Sequence, residues 1–450
     1  MSEGSVDLGG SSREELVAMV VAQQARLAEQ AVVIATLEGR IAQLEQRLGS
    51  SGGAGVPGTK PAQRSKASGQ PRKRRDRGYA RLRMPPTATV THAAEQCPDC
   101  GTRLLGGWVQ RRREVIEVPV IPVSVTEHQI LARTCPRCRR RVLPAEPLVG
   151  IVAGQQRLGA RVVSTIATLR EAARLPVRTI QWLLHDLYGL RLSVGTITAA
   201  SDRMAARGAG AVAAIRDRVR GSPVVNADET GWRENGRNGY AWTFCTPTDR
   251  YFVRRGRHKE VVDEVLGDAF AGVLVSDFYA AYHHYPGLKQ RCWVHLLRDI
   301  HDLTVTYPDD ATLADWATQV RAVYDDARTF SSILPRACGA AAQQFQERLL
   351  AVCTPFIADP TAAHANLCRR IQRHSDELFV FVAQPAVPPD NNAAERSVRH
   401  LVTSRKISGG TRSTHGSTTK MANATLFGTW HARRLNPFDQ GFRLLTSPQF

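Results

Sequence analysis

The spacing of apolar positions changes repeatedly along this 450-residue chain, and each change predicts a different kind of element. Between Leu16 and Leu48, the positions Leu16, Val20, Leu27, Ile34, Leu37, Ile41, Leu44 and Leu48 recur at alternating steps of four and three residues, with Gln23 and Gln30 in the same seam. That is the period of a coiled coil. Ser12, with Glu15 three residues on, forms a capping box ahead of it. The pattern predicts a self-associating helix over 12–48, although Gly39 disfavours a long rigid rod by ~1 kcal/mol relative to alanine.

Periodicity stops at 49–86, a stretch rich in Gly, Pro, Ser and basic residues that contains Arg72-Lys73-Arg74-Arg75. It reads as a disordered basic tether. Next, short apolar runs from Val115 to Val125 separate Cys97-Pro98-Asp99-Cys100 from Cys135-Pro136-Arg137-Cys138. Short strands between two Cys-x-x-Cys turns predict a small domain at 87–148, in which Cys97, Cys100, Cys135 and Cys138 hold one Zn2+. Four thiolates leave no open coordination position, so the zinc would be structural.

A helical period follows over 155–215. Leu158 to Ala173 form one unit, and Pro176 opens another with Ile180, Leu183, Leu184 and Leu187 on one face. Gly189 breaks it and Ser193 caps a third helix through Ile197. This resembles a helix-turn-helix whose second helix enters a major groove; a structural helical hairpin is the alternative.

Beyond residue 220 the apolar runs shorten to strand length. Val224 to Asp228, Tyr240 to Cys245 and Tyr251 to Arg254 read as strands, Lys259 to Leu266 as a helix, and Gly272 to Ser276 as a fourth strand. Arg291 to Val294 reads as one more strand, before a helix starting near His295. That order matches an α/β, ribonuclease-H-like core in two parts, 220–308 and 386–432. A mostly helical insertion at 309–385 interrupts it, with Leu313, Trp316, Val320 and Val323 on one face. Residues 433–450 read as a C-terminal tail.

In such a core the first and fourth strands are neighbours, so Asp228 and Asp277 meet at one edge. Glu395 lies at the start of a helix in Asp390-Asn391-Asn392-Ala393-Ala394-Glu395-Arg396. Three carboxylates offer the hard oxygen ligands that Mg2+ (or Mn2+) requires. Two such ions ~3.5–4 Å apart activate an attacking oxygen and stabilise a leaving one. Glu229 is set aside, because strand alternation turns it away from Asp228. Cys292 and His295 have metal-ligand spacing but no further pair to complete a shell, so a packed cysteine and a hydrogen-bonded histidine are expected. His295 and Arg298 can also support the acids or contact phosphate. Trp232 either stacks on an unpaired base or plugs the domain.

Charge sharpens the picture. Lys and Arg number 60 against 41 Asp and Glu, a net +19, which favours a polyanionic partner and above all nucleic acid. Arg72, Lys73, Arg74 and Arg75 on the tether, and Arg396, Arg399, Arg405 and Lys406 around the helix carrying Glu395, are the phosphate-binding candidates. No apolar run approaches the ~20 residues of a membrane span, and the N-terminus lacks an export pattern. Nine cysteines, five of them scattered, suit a reducing compartment better than a disulfide framework.

Several motifs together carry a family resemblance. They are Ala227-Asp228-Glu229-Thr230, Ser276-Asp277-Phe278-Tyr279-Ala280-Ala281-Tyr282, Cys292-Trp293-Val294-His295-Leu296-Leu297-Arg298, Asn391-Asn392-Ala393-Ala394-Glu395-Arg396 with Arg399, and Lys406-Ile407-Ser408-Gly409-Gly410. With the zipper and the four-cysteine domain ahead of them, the chain resembles transposases of the insertion-sequence sixty-six family, which are DDE (Asp-Asp-Glu) enzymes. The resemblance implies Asp228, Asp277 and Glu395 as first, second and third magnesium ligands. It implies double-stranded DNA partners, namely the terminal inverted repeats of a mobile element and a target, and strand transfer between them. It further implies a bacterial cytoplasmic, nucleoid-associated protein, a homo-oligomer through the zipper, and small accessory proteins of the same element. A nuclease that cuts without joining, and an inactive DNA-binding relative, are the alternatives that sequence leaves open.

Overall fold

The computed structural model describes residues 84–118, 122–145, 148–152, 156–333 and 338–447, together with Gln23. Apart from Gln23 the zipper at 12–48, and the tether through residue 83 with Arg72, Lys73, Arg74 and Arg75, lie outside the described residues. The chain separates into two units, one ending at Ile116 and the other beginning at Glu117; the division falls inside the span expected for the zinc domain.

In the first unit, Cys97 starts a tight turn: its amide donates to Thr102 O, and Gly101 N donates back to Cys97 O, both at 2.9 Å. Gly101 takes φ +72°, which a side chain would strain. In the second unit the same turn recurs. Cys135 N donates to Arg140 O at 2.9 Å, Arg139 N to Cys135 O at 2.8 Å, and Arg139 has φ +56°. A two-residue hairpin, β1 (Arg133–Thr134) against β2 (Arg141–Val142), flanks this second turn. The apolar run between the cysteine pairs does not form the expected strands among the described residues. Val115, Val118 and Val125 are exposed.

The second unit is built around a mixed five-stranded sheet. Its strands are β3 (Val224–Gly231), β4 (Tyr240–Cys245), β5 (Arg250–Arg255), β6 (Val273–Ser276) and β7 (Lys289–Arg291), in the order β5-β4-β3-β6-β7. The first three form an antiparallel meander, and β6 and β7 add parallel to β3. The last strand ends earlier than its apolar pattern predicts. Trp293 and Val294, expected in the strand, already open a helix, because Trp293 N donates to Pro389 O and turns the chain.

Leading directly into the sheet are the helices α1 (Ala160–Glu171), α2 (Val177–Tyr188), α3 (Val194–Arg207) and α4 (Ala209–Arg220). Their boundaries follow local chemistry. Gly189 adopts the left-handed cap after α2 at φ +64°, and Ser193 Oγ accepts from Thr196 N to start α3. After the meander comes α5 (Glu260–Leu266), packed on one sheet face with Val261, Val262, Val265 and Leu266 buried. The helix after β7 is α6 (Trp293–Thr306), followed by α7 (Ala311–Ile333), α8 (Gly339–Ile357), α9 (Ala365–Arg373) and the short α10 (Val380–Ala383). These bury one continuous cluster around Trp293, Trp316, Phe345, Phe379 and Phe381. Leu313, Trp316, Val320 and Val323 form the buried stripe of α7.

The chain returns to the sheet with α11 (Asn392–Ser408) and α12 (Thr414–Ala432). The second of these protects the β5 edge. Thr425 Oγ1 and Thr429 Oγ1, one helical turn apart, accept from Phe252 N and Arg250 N at 3.0 Å. Those amides would otherwise be a free pairing edge. Residues expected as a tail contain α13 (Pro437–Thr446), which buries Leu444 and Leu445 in the same cluster as α1, α3 and α12. Gly441 allows α13 to approach α1, since a Cβ there would meet Ser164 Oγ at 2.7 Å.

This wrapping changes the reading of the helix-turn-helix. The helix expected to enter a groove, α3, is enclosed by its neighbours, and only Val194, Gly195 and Ala206 along it are exposed. The exposed residues of the pair lie on α2 instead, where Trp182, Leu187 and Tyr188 face solvent.

Candidate functional site

Strand register brings the first two acids together. In the parallel β3–β6 pair, Val224 lies opposite Val273, Val225 opposite Leu274 and Asn226 opposite Val275. Asp228 and Asp277 each lie two residues beyond that last pair, so they share a face at the same end of adjacent strands. Asp277 terminates its strand: its Oδ1 accepts from Tyr279 N at 2.9 Å, which turns the backbone away.

A buried arginine fixes that strand end. Arg291, fully buried on β7, donates to Ser276 Oγ at 3.1 Å and to Asp277 O at 2.8 Å, and it pairs with Glu377 at 2.5 Å. His374, the Arg291 guanidinium and Lys289 hold the Glu377 carboxyl down to about 2, against the penalty of its burial.

The third acid is delivered by asparagine. Asn391 Nδ2 donates to Ala227 O at 2.7 Å, and Asn226 Nδ2 donates to Asn391 Oδ1 at 3.1 Å, both buried. Asn391 N also donates to Cys292 Sγ at 3.2 Å. The start of α11 is thereby fastened both to β3, one residue before Asp228, and to the start of α6. Glu395 follows Asn391 by four residues, and Glu395 N donates to Asn391 O. One helical turn puts it on the same side as the anchoring amide.

The electrostatics record the convergence. Burial, followed by the like charges of Glu229 and Asp277 and more weakly of Glu395, pushes the Asp228 carboxyl up to about 8. One Glu395 oxygen, Oε1, is buried with no hydrogen-bond donor among the described residues. A carboxylate oxygen without a donor suits a cation, and a carboxylate donor set is the hard-oxygen one of magnesium. Glu229 has partners of its own. It accepts from Tyr282 Oη at 2.7 Å and pairs with Arg257 at 2.9 Å, and Arg257 in turn lies over the Tyr279 ring at 4.0 Å.

Sequence reading found no third partner for Cys292 and His295, and the fold supplies one. Ligand atoms of Cys292, His295 and Glu395 lie within 4.8 Å of one another, with His295 Nε2 3.6 Å from Glu395 Oε1. Cys292 is buried, accepts the Asn391 amide, and has its thiol pushed up to about 11 chiefly by burial. Cys292 thereby helps dock α11, and with His295 and Glu395 it forms a candidate metal cluster.

The remaining candidates divide. Arg396, Arg399 and Lys406 are exposed along α11. Arg405 is not free for phosphate, because its guanidinium donates to Thr230 Oγ1 and to Gly231 O at the end of β3. Trp232 plugs the domain: it is 2% exposed, and its indole donates to Thr411 Oγ1 at 3.1 Å, which removes it as a stacking platform. Asn226 and Asn391 were missed in the sequence. The asparagine pair ahead of Glu395 was the available signal, but nothing local shows that Asn391 reaches across to β3.

Fold and site together define a class, a protein with a mixed sheet flanked by helices and a candidate metal cluster of Cys292, His295 and Glu395. Residues 155–419 match the family model described as Transposase IS66 family, and residues 94–139 match the zinc-finger binding domain of transposase IS66. The chain belongs to the IS66 family of transposases. It is also 30% identical over 171 residues to the uncharacterized protein y4jO of Sinorhizobium fredii (strain NBRC 101917 / NGR234). That alignment covers 36% of this chain and 47% of the relative, so the chain spans about half the length of the curated protein it matches. Among the described residues no helix is long and apolar enough to cross a membrane.

Proposed function

We propose that this protein cuts DNA at the ends of a mobile element and joins those ends to a target, with a ribonuclease-H-like core as its catalytic domain. The observation that carries the reading is the equal register offset of Asp228 and Asp277; the Asn391 anchor, which fastens the helix of Glu395 to β3, supports Glu395 as the third ligand. Asp228, Asp277 and Glu395 would hold Mg2+ or Mn2+. Bound there, such ions supply an activated attacking oxygen and a stabilised leaving oxygen. The protein's own part is to orient the carboxylates. Arg291 clamps the backbone of Asp277, Asn391 positions Glu395, and His295 meets Glu395 from α6.

Exposed Arg396, Arg399 and Lys406 flank the acids and suit phosphate contacts. Arg72, Lys73, Arg74 and Arg75 would add sequence-independent affinity from the tether. Cys97, Cys100, Cys135 and Cys138 would hold a structural Zn2+, a reading supported by the match over 94–139 and by the repeated turn around each pair. Terminal inverted repeats and target DNA as substrates, self-association through 12–48, accessory proteins of the same element and a nucleoid location in the cytoplasm complete the proposal.

The test incubates the purified protein with labelled ends of its own element and a plasmid target, in Mg2+ or in EDTA. Joined products that require Mg2+ and disappear in Asp228→Asn support it. Cleavage without joining would replace it with the nuclease reading, and DNA binding with neither product would replace it with an inactive binder.

A further inference from the structure

We infer that α2 and the turn leading into α3 form a binding site for one unpaired nucleotide of single-stranded DNA. The inference rests on the DNA-processing function proposed above. Arg178, Gln181, Trp182, His185, Arg191 and Leu192 line an open cavity of about 340 Å³, within the range of small-ligand clefts. The first four lie on one side of α2 at helical spacing. The other two come from the turn after Gly189, which Gln181 Nε2 ties down by donating to Leu192 O at 2.7 Å.

Three features of this cavity point to a nucleotide. The Trp182 side chain is 61% exposed, although the adjoining core of Ile180, Leu184 and Ile197 is fully closed. An indole left open beside a finished core is a platform awaiting a flat partner. Arg178 and Arg191, both exposed, form no ion pair among the described residues, so two guanidinium groups remain for phosphate. Arg191 is held at the rim, because its Nε donates to His185 Nε2 at 3.3 Å while His185 Nδ1 faces Asp186 at 2.9 Å.

An aromatic platform between cationic rims is how proteins hold single strands without reading their sequence. A paired base offers no free face to a side chain standing on a helix, so the occupant is an unpaired base.

The test measures fluorescence anisotropy of a labelled oligothymidylate of about 12 nucleotides, and of a fully paired hairpin of matched charge. The proteins are full-length wild type, Trp182→Ala, Trp182→Phe and Arg191→Ala. Trp182→Ala is expected to weaken oligothymidylate binding about tenfold with little change for the hairpin. Trp182→Phe should recover most of the loss, and Arg191→Ala should weaken binding with a shallower salt dependence. Equal losses on both DNAs, no loss, or a change in sedimentation without a change in DNA binding would overturn the inference. The last result would mark the face as a protein contact. Trp182 lies on the surface, so unchanged thermal melting separates these outcomes from misfolding. Asp228→Asn leaves this binding intact, so failure of the cavity and failure of metal-dependent joining are read separately.

Discussion

Replacing Asp228 by asparagine should abolish activity and yet make the metal-free protein more stable. The unfolded chain ionises this carboxyl near 3.8, whereas burial and its acidic neighbours move it to about 8 in the fold. The sign follows from linkage. Below the unfolded value the carboxyl is neutral in both states and has no effect. As pH rises, the unfolded state gains an ionisation that the folded state resists, and stability falls until about pH 8. At pH 7 the penalty is at most about 4 kcal/mol by linkage, and ~1–2 kcal/mol is expected after relaxation and water entry. Asn is neutral, matches Asp in shape, and keeps the oxygen that accepts Glu229 N at 2.9 Å. Urea unfolding in EDTA at several pH values should therefore show Asp228→Asn more stable than wild type near pH 8, with the gap closing toward about pH 4. Adding Mg2+ should raise wild-type stability by mass action and leave the variant almost unmoved. A variant less stable than wild type at pH 8 in EDTA, or a gap independent of pH, would refute the reasoning.

Other expectations follow from the supports of the site. Asn391→Ala removes two buried hydrogen bonds and strands the Asn226 amide, so it should cost about 2–3 kcal/mol and depress joining more than DNA binding, read by denaturation and joining assays. Lys420 and Glu171 form a buried pair at 2.6 Å that ties α12 to α1. Lys420→Met should cost about 3–5 kcal/mol, with much of it recovered by adding Glu171→Leu, as a double-mutant cycle would measure. Glu377, held down to about 2, contributes stability above the ordinary carboxylate range that is lost as pH falls toward that value. Glu377→Gln should flatten acid unfolding over this range and lower stability at neutral pH, because buried Arg291 loses its counter-charge.

The sheet was legible because its signals are local. Alternating apolar runs ended at turn residues, and the order of strands and helix fixed which strands could be neighbours. Asp228 and Asp277 could be paired for the same reason, through topology rather than through any contact between them in sequence. The boundary at Trp293 was misread because an apolar run suits a strand and a buried helix start equally well, and the deciding hydrogen bond to Pro389 is distant in sequence. Long-range partners hid the rest. Arg405 looked like a free phosphate ligand until its contacts with Thr230 and Gly231 were visible, and Trp232 like a stacking ring until Thr411 was seen to hold it. The helix of Pro437–Thr446 was hidden because its partners, α1 and α3, precede the sheet in sequence.

The central claim is that Asp228, Asp277 and Glu395 bind one set of divalent ions. Replacing Mg2+ with Fe2+ in the presence of ascorbate and peroxide generates radicals at the bound ion, which cut the nearby backbone. The account predicts three cuts, next to Asp228, Asp277 and Glu395, all suppressed by excess Mg2+ and all lost together in Asp277→Asn. Cuts confined to one of the three positions, or placed elsewhere in the chain, would contradict it.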